Sequence, residues 1–308
     1  MKVGVIGLGS IGLRRARIAS DLGHEIIGYD LFVRTEKWRP RLILSMDEFW
    51  SEKPDAVLIC TPPDSHMELI IEAKKHGVHC FCEKPLSDKR QYLVPKADGW
   101  TTMVACNWRF HVGPAKIKYW LQGRTIGKVI SALLFHYSNL PEWGSGRDYK
   151  TRYTAKTGVI LDVGSHWIDL ASMFFGPPVL RGAASVAAES IGLECDGNAE
   201  IILQHPESVL SSVSLSMVTP RPSLGVHIEG MLGSIDWWDD GDTGGVQVTD
   251  LRGMMLNRHT YVTTDEVELM YVKEMESFFK SCEKGEVSVN PLRSALVTFN
   301  ILMEAKDV

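Results

Sequence analysis

The sequence has no apolar run approaching the roughly 18 residues that a membrane-spanning helix requires. It has no basic surplus either: 33 Lys and Arg face 38 Asp and Glu, for a formal charge of -5 and a pI near 6.1. That balance excludes a broad nucleic-acid surface. The cluster Arg14, Arg15 and Arg17 is local and reads as a solvated helix face. Six cysteines in 308 residues make no disulfide framework, and Cys80-Phe81-Cys82 lies inside an apolar run. Reduced thiols and a cytoplasmic location are therefore expected. In MKVGVIGLGSIGLRR, glycines break the apolar stretch and the arginines follow it, the wrong order of charges for a signal peptide. Repeats, low-complexity tracts and an obvious flexible linker are all lacking. What is present is an ordinary globular composition, 44% hydrophobic and 23% charged, which excludes a disordered or fibrous chain. The length allows one large domain or two modest ones.

The first hundred residues alternate compact apolar runs with helical patterns. Lys2 to Ile6 reads as a strand, then a helix runs to about Leu22. Strands follow at His24 to Tyr29 and Ala56 to Cys60, the latter stopped by Thr61-Pro62-Pro63 because proline cannot extend a ladder. Asp64 is expected to cap a helix ending at Gly77, followed by strands at Val78 to Cys82 and Met103 to Cys106. Strand-helix alternation with continuous apolar strands predicts a doubly wound parallel sheet, an α/β fold. After about residue 112 the rhythm changes. Helices are expected at Pro114 to Leu121 and Leu161 to Phe175, around a strand at Val129 to Tyr137. Strands then follow one another with hairpin-like turns from 182 to 250, which predicts an open, mainly antiparallel sheet. Helical patterns return at 265–283 and 291–306. The division expected is 1–112 and 113–308.

Gly7-Leu8-Gly9-Ser10-Ile11-Gly12 follows the first strand and opens the first helix. The first glycine permits a tight turn, the second a close approach to a pyrophosphate, and the third close helix–strand packing. The helix N-terminus supplies free N–H groups to the phosphates. Asp30 ends the second strand, where a carboxylate binds the adenosine ribose hydroxyls. A carboxylate there repels a 2′-phosphate and favours NAD, while Arg34 leaves NADP open because an arginine at that place reaches such a phosphate.

Three further segments join the glycine motif: Thr61-Pro62-Pro63-Asp64-Ser65-His66, Val78-His79-Cys80-Phe81-Cys82-Glu83-Lys84-Pro85, and Gly158 to Asp169 with Asp162 and His166 inside it. Together with Asn107-Trp108-Arg109-Phe110 and the strand 229–236, they make the chain resemble the glucose–fructose oxidoreductase / inositol dehydrogenase / MocA family. The resemblance implies an N-terminal Rossmann domain that binds the cofactor and a C-terminal α/β domain that binds substrate. It also implies a homodimer or homotetramer built on the second sheet, and a Lys84–Pro85 bond that is commonly cis in the family. The implied chemistry is hydride transfer between a nicotinamide and a carbinol carbon of a sugar, cyclitol or nucleotide sugar. Thr61, Pro62, His66, Glu83, Lys84 and Asn107 are then expected to line the cofactor, beside the glycine loop and Asp30.

Residue chemistry points the same way. Oxidising a secondary alcohol needs a base for the hydroxyl proton, a task that suits histidine near neutral pH and contributes roughly 10²–10⁴-fold. Asp162 and His166 are four apart on an expected helix and share a face. His166 is the expected general acid/base, Asp162 its orienting or substrate-binding partner, and Lys84 the hydrogen-bond donor to the reacting oxygen. Arg109, Trp143, Arg152 and Tyr153 complete the expected substrate contacts. Arg147 and Arg152 suit a carboxylate or phosphate, against the ordinary reading of loop arginines. Trp108, Trp143 and Trp167 are placed beside the substrate, and Trp237-Trp238 in the second sheet. Asp162 and His166 have no third ligand at suitable spacing, so no metal is predicted. Lys156 and Thr157 stand where the family often has glycines, which detaches substrate identity from the resemblance. A non-catalytic NAD-binding regulator and an NAD-dependent glycosidase are the rival readings; Lys84, Asp162 and His166 together argue against the regulator.

Overall fold

A computed structural model describes residues 1–32, 40–90, 95, 99–143 and 148–308. Arg34 and Arg147 lie outside the described residues. The chain divides into two compact units: 1–107 with 271–296, and 108–270 with 297–308.

The first unit is built on a six-stranded sheet. Its strands are β1 (Lys2–Ile6), β2 (Glu25–Tyr29), β3 (Arg41–Leu42), β4 (Ala56–Ile59), β5 (His79–Cys82) and β6 (Thr102–Val104). All pairings are parallel, in the order β3-β2-β1-β4-β5-β6. This is the doubly wound order, with its switch point between β1 and β4. The apolar runs are buried as expected: Val3, Val5, Ala56, Val57, Leu58, Ile59 and Phe81 are wholly inaccessible. Helices α1 (Ser10–Asp21), α2 (Met46–Ser51) and α3 (His66–Lys75) connect the strands. Phe49 of α2 packs where a side chain at Gly4 would stand, its ring 2.3 Å from that Cβ position. Asp64 does not cap α3. It sits in a single 3₁₀ turn, Pro63–Ser65, that leads into the helix, whose N-cap residue is Ser65. Gly77, with φ +69, follows the helix end as expected.

The second unit holds an eight-stranded sheet: β7 (Val129–Asn139), β8 (Val179–Ala187), β9 (Asp196–Gln204), β10 (Leu210–Ser216), β11 (Val218–Gly230), β12 (Gly233–Asp239), β13 (Thr243–Asp250) and β14 (Met255–Val262). Its order is β14-β13-β12-β11-β7-β10-β9-β8. Only β7 and β10 run parallel, so the sheet is mixed and mainly antiparallel. Alternation sets its two faces. Leu134, Val213, Val226, Ile228, Ile235 and Val248 are buried, whereas Leu133, Ile202 and Leu210 stay at least 40% exposed. Helices α4 (Val112–Gln122), α5 (Tyr153–Asp162) and α6 (Gly164–Phe175) pack on the buried face.

Two helices close the chain, α7 (Thr263–Lys284) and α8 (Leu292–Lys306). The observed division departs from 1–112 and 113–308 at two places. The first boundary falls after Asn107, and residues 271–296 belong with the first sheet. Side chains explain the return. Phe278 packs edge-on to Phe81 at 5.6 Å, Asn290 donates to the Val104 carbonyl at 3.0 Å, and Glu274 pairs with Arg15 at 2.6 Å. Arg15 is therefore not part of a solvated face; it is 1% exposed.

Candidate active site

In the first unit, the glycine loop has the shape of a phosphate cradle. Gly7 takes φ +89, and a Cβ there would lie 2.8 Å from the Cys60 carbonyl. A Cβ on Gly12 would lie 1.9 Å from the Gly7 oxygen, so helix α1 meets β1 only because both positions lack side chains. Gly9 is the N-cap of α1 and no side chain caps it, which leaves the amides at Ser10, Ile11 and Gly12 facing a prospective anion. Leu8 is buried and its N–H donates to Asp30 Oδ2 at 2.6 Å. Asp30 Oδ1 accepts from Phe32 N at 2.9 Å, so the carboxylate is fixed beside the loop. These features fit a dinucleotide.

The ends of β4 and β5 carry the next group. His66 is wholly buried and its two ring nitrogens lie against the carbonyls of Pro85, at 2.9 Å, and Thr61, at 2.8 Å. It ties the two strand ends together and has no ring nitrogen left for a cofactor, in contrast to its expected role. Thr61 accepts from Ser65 Oγ at 2.7 Å, and Pro62 is exposed beside it. Glu83 is also occupied: its Oε1 accepts from Arg15 Nε at 2.8 Å. That bond makes Glu83 a scaffold residue. Lys84–Pro85 is cis. From 80 to 87 every residue is buried except Lys84. Asn107, 4% exposed, ends the unit's first segment.

In the second unit, α5 and α6 meet at Val163, whose φ of -74 and ψ of -44 keep the backbone helical across the junction. Asp162 ends one helix and His166 lies in the first turn of the next. From 159 to 171 every residue is buried except these two. Thr154, 3% exposed, donates its hydroxyl to Asp162 Oδ2. His166 stands edge-on to the Trp108 indole, ring centres 6.4 Å apart. Arg109 grips Asp169 with two hydrogen bonds of 2.7 Å, so its fork anchors α6 and is not held out for a substrate. Arg152 donates to the Trp143 carbonyl, and Tyr153 begins α5. Trp167 is wholly buried and stacks on Trp237 at 5.8 Å. It is a core residue, which removes it from the aromatic faces expected beside the substrate. Thr154 carries no motif of its own in the sequence, although it lies eight residues before Asp162 on the same helix.

Comparison with known proteins identifies the family. Residues 1–94 match the family described as "Oxidoreductase family, NAD-binding Rossmann fold". Residues 115–236 match the "GFO/IDH/MocA C-terminal domain". The chain belongs to the Gfo/Idh/MocA family. It is an NAD-binding oxidoreductase, and the named relatives of this Gfo/Idh/MocA protein are dehydrogenases. Myo-inositol 2-dehydrogenase of Thermotoga maritima is 28% identical over 309 residues, covering 93% of this chain and 89% of that one. D-xylose 1-dehydrogenase (NADP(+)) 2 of Haloferax volcanii is 25% identical over 75% of this chain and 71% of its own. Among solved structures, an Agrobacterium radiobacter oxidoreductase in complex with NAD+, L-tartaric acid and magnesium superposes with a TM-score of 0.82 at 19% identity, covering 100% of this chain and 95% of that one. A levoglucosan dehydrogenase in complex with NADH and levoglucosan gives 0.80 at 19% identity, covering 100% and 97%. Both superpositions bear on the fold. Among the described residues no helix is long and apolar enough to cross a membrane.

Proposed function

We propose that this protein transfers a hydride between NAD and a secondary alcohol or ketone carbon of a sugar, cyclitol or nucleotide sugar. The observation that carries the reading is the pattern of accessibility at Asp162 and His166. They are the only two residues from 159 to 171 that are not buried, and they are an acid/base candidate and a carboxylate held by Thr154. When bound, NAD supplies the hydride acceptor. His166 takes the hydroxyl proton as the carbinol carbon is oxidised and returns it in the reverse direction. Asp162 orients that imidazole or a neighbouring hydroxyl of the substrate. Lys84 donates a hydrogen bond to the reacting oxygen and stabilises the charge that develops there. Asp30 and the glycine loop bind the dinucleotide, and Asp30 selects NAD by repelling a 2′-phosphate. Trp143, Arg152 and Tyr153 remain the proposed substrate contacts, and Arg109 acts through Asp169. The substrate class draws on the Thermotoga relative, a cyclitol dehydrogenase by name. The exposed sheet face with Leu133, Ile202 and Leu210 suits a homodimer or homotetramer, which sedimentation of the purified chain tests.

The decisive experiment incubates the protein with NAD and a panel of cyclitols, sugars and nucleotide sugars and follows nicotinamide reduction. His166→Ala is expected to abolish turnover while NADH binding persists. Unchanged turnover in that variant removes His166 from the reaction.

A further inference from the structure

Helix α5 contains one non-helical residue, Gly158, at φ 83 and ψ 174. A Cβ there would lie 2.2 Å from Asp196 Oδ1 and 2.4 Å from Oδ2, so the Asp196 carboxylate occupies the space a side chain would need. That carboxylate is bound on both sides. Its Oδ2 accepts from the Ile160 N–H at 2.8 Å, and its Oδ1 accepts from Lys306 Nζ at 2.8 Å. Lys306 Nζ also donates to the Thr157 carbonyl at 2.6 Å. One ammonium and one carboxylate thus hold both arms of the turn from which the chain enters Ile160, Leu161 and Asp162. The neighbour of Asp196 reinforces the grip, since Cys195 Sγ approaches the Thr154 carbonyl at 3.7 Å, and Thr154 is the residue that holds Asp162. The positive φ and the Asp196 carboxylate both exclude a side chain at Gly158.

We propose that Lys306 is a positioning residue: through Asp196 and the Gly158 turn it fixes the direction in which α5 presents Asp162 and, across Val163, His166. This rests on the hydride-transfer reading above. The side chains of Asp196 and Lys306 are 10% and 26% exposed. An ion pair taken that far from water returns little net stability over an apolar contact. What it does supply is a fixed geometry, because each charged group is bonded on two sides at defined distances. Misplacement of a reacting group by about 1 Å can cost up to about a hundredfold in rate, so a turn held by two charges has consequences at Asp162, four residues after Gly158.

The test replaces Lys306 with methionine in the whole chain and measures amide hydrogen exchange, NADH binding by fluorescence, and steady-state kinetics with the best alcohol of the panel. Exchange at 157–162 is expected to rise by at least about tenfold while strand 197–204 stays protected. With it, kcat falls about tenfold or more, and KM and NADH affinity stay within about twofold. Propylammonium added to Lys306→Ala is expected to restore part of kcat. Asp196→Asn, which keeps an acceptor for Ile160 but removes the charge, is expected to reproduce the effect if the methionine variant fails to fold. Unchanged exchange at 157–162 overturns the clamp, and raised exchange with unchanged kcat overturns its positioning role. If the unaltered protein oxidises nothing in the panel, the hydride-transfer reading falls, while the exchange result still decides the clamp.

Discussion

Arg15 Nη1 lies 2.6 Å from Glu274 Oε2, and both side chains are at most 1% exposed. The same guanidinium bonds Glu83 at 2.8 Å, and its face lies 4.7 Å from the Phe81 ring centre. Glu274 Oε1 accepts from Cys106 N at 2.5 Å. Burial opposes the charge on Arg15, but Glu274 and Glu83 outweigh it and raise its pKa above arginine's ordinary value. Without Glu274 the guanidinium keeps Glu83, but the buried Cys106 N–H loses its acceptor, and a buried donor left unmade costs about 1–3 kcal/mol. Glu274→Ala is expected to lose stability on that scale in urea titrations. A loss below about 1 kcal/mol, the range of exposed pairs, would contradict the burial.

The glycine loop predicts a contrast between two alanine variants. Gly12→Ala drives a Cβ to 1.9 Å from the Gly7 oxygen and must move the loop. NADH affinity is expected to fall at least about tenfold, or about 1.4 kcal/mol. Gly23 has φ +87 with nothing within 4 Å of its Cβ position. Gly23→Ala pays about 1 kcal/mol of backbone strain and leaves NADH affinity unchanged. Fluorescence titration of both variants separates crowding from strain.

Thr154 predicts a chemical effect with little structural cost. Thr154→Val keeps the volume and removes the donor to Asp162. A hydrogen bond to an ionised group is worth about 1.5–3 kcal/mol, so kcat is expected to drop about tenfold. Thr154→Ser should recover most of it. Equal rates in the valine and serine variants would show that Asp162 does not depend on this hydroxyl.

How far these features could be read from the sequence depends on what each residue contacts. Lys2–Ile6 and Ala56–Ile59 are legible because a buried parallel strand is apolar at every position. The glycine loop is legible because its steric demands admit one residue type. Strand β14, Met255–Val262, escaped detection: as an edge strand it leaves Met255, Leu256 and Val262 half exposed, and its sequence shows no alternation. Arg15 is illegible for the opposite reason. An arginine on an amphipathic helix ordinarily faces water, and the carboxylate that draws it inward arrives from residue 274. Lys306 and Asp196 illustrate the same limit, since neither carries any local sign of the turn it holds.

His227 on the open sheet is one source of pH-dependent stability near neutral pH. Burial works against a charged His227, but its hydrogen bonds to Asp236, at 2.6 Å, and Glu229, at 2.9 Å, prevail and raise its pKa. A raised histidine stabilises the fold fully below its unfolded value of about 6.5. That contribution is lost as pH rises through the higher folded value. The contribution of His227 is therefore expected to decline from about pH 6.5 upward, and the pH profile of His227→Gln should differ from that of the unaltered protein by the loss of that decline. The side chain is 41% exposed, so the effect is small and weakens with salt. A variant with an unaltered pH slope would rule the histidine out.

Thiol chemistry should be equally selective. All six cysteines are free and only Cys195 is not buried. Burial pushes Cys60, Cys80 and Cys82 far above the ordinary thiol range and Cys282 up to about 12. A disulfide reagent near pH 8 is expected to modify one thiol in the folded protein and all six after denaturation. Modification of Cys80 or Cys82 in the native state would contradict their burial.

The return of residues 271–296 to the first sheet imposes an order on biosynthesis. As the nascent chain leaves the ribosome, β1 to β6 emerge without the Glu274 carboxylate that Arg15 requires, without Phe278 over Phe81, and without Asn290 at the end of β6. All of the second sheet is translated before those groups appear. The cofactor-binding half is thus begun first and completed only after the whole second sheet has been made. A fragment cut at the apparent boundary near residue 107 would keep the Arg15–Glu83 pair but lose Glu274 beside it and Phe278 over Phe81.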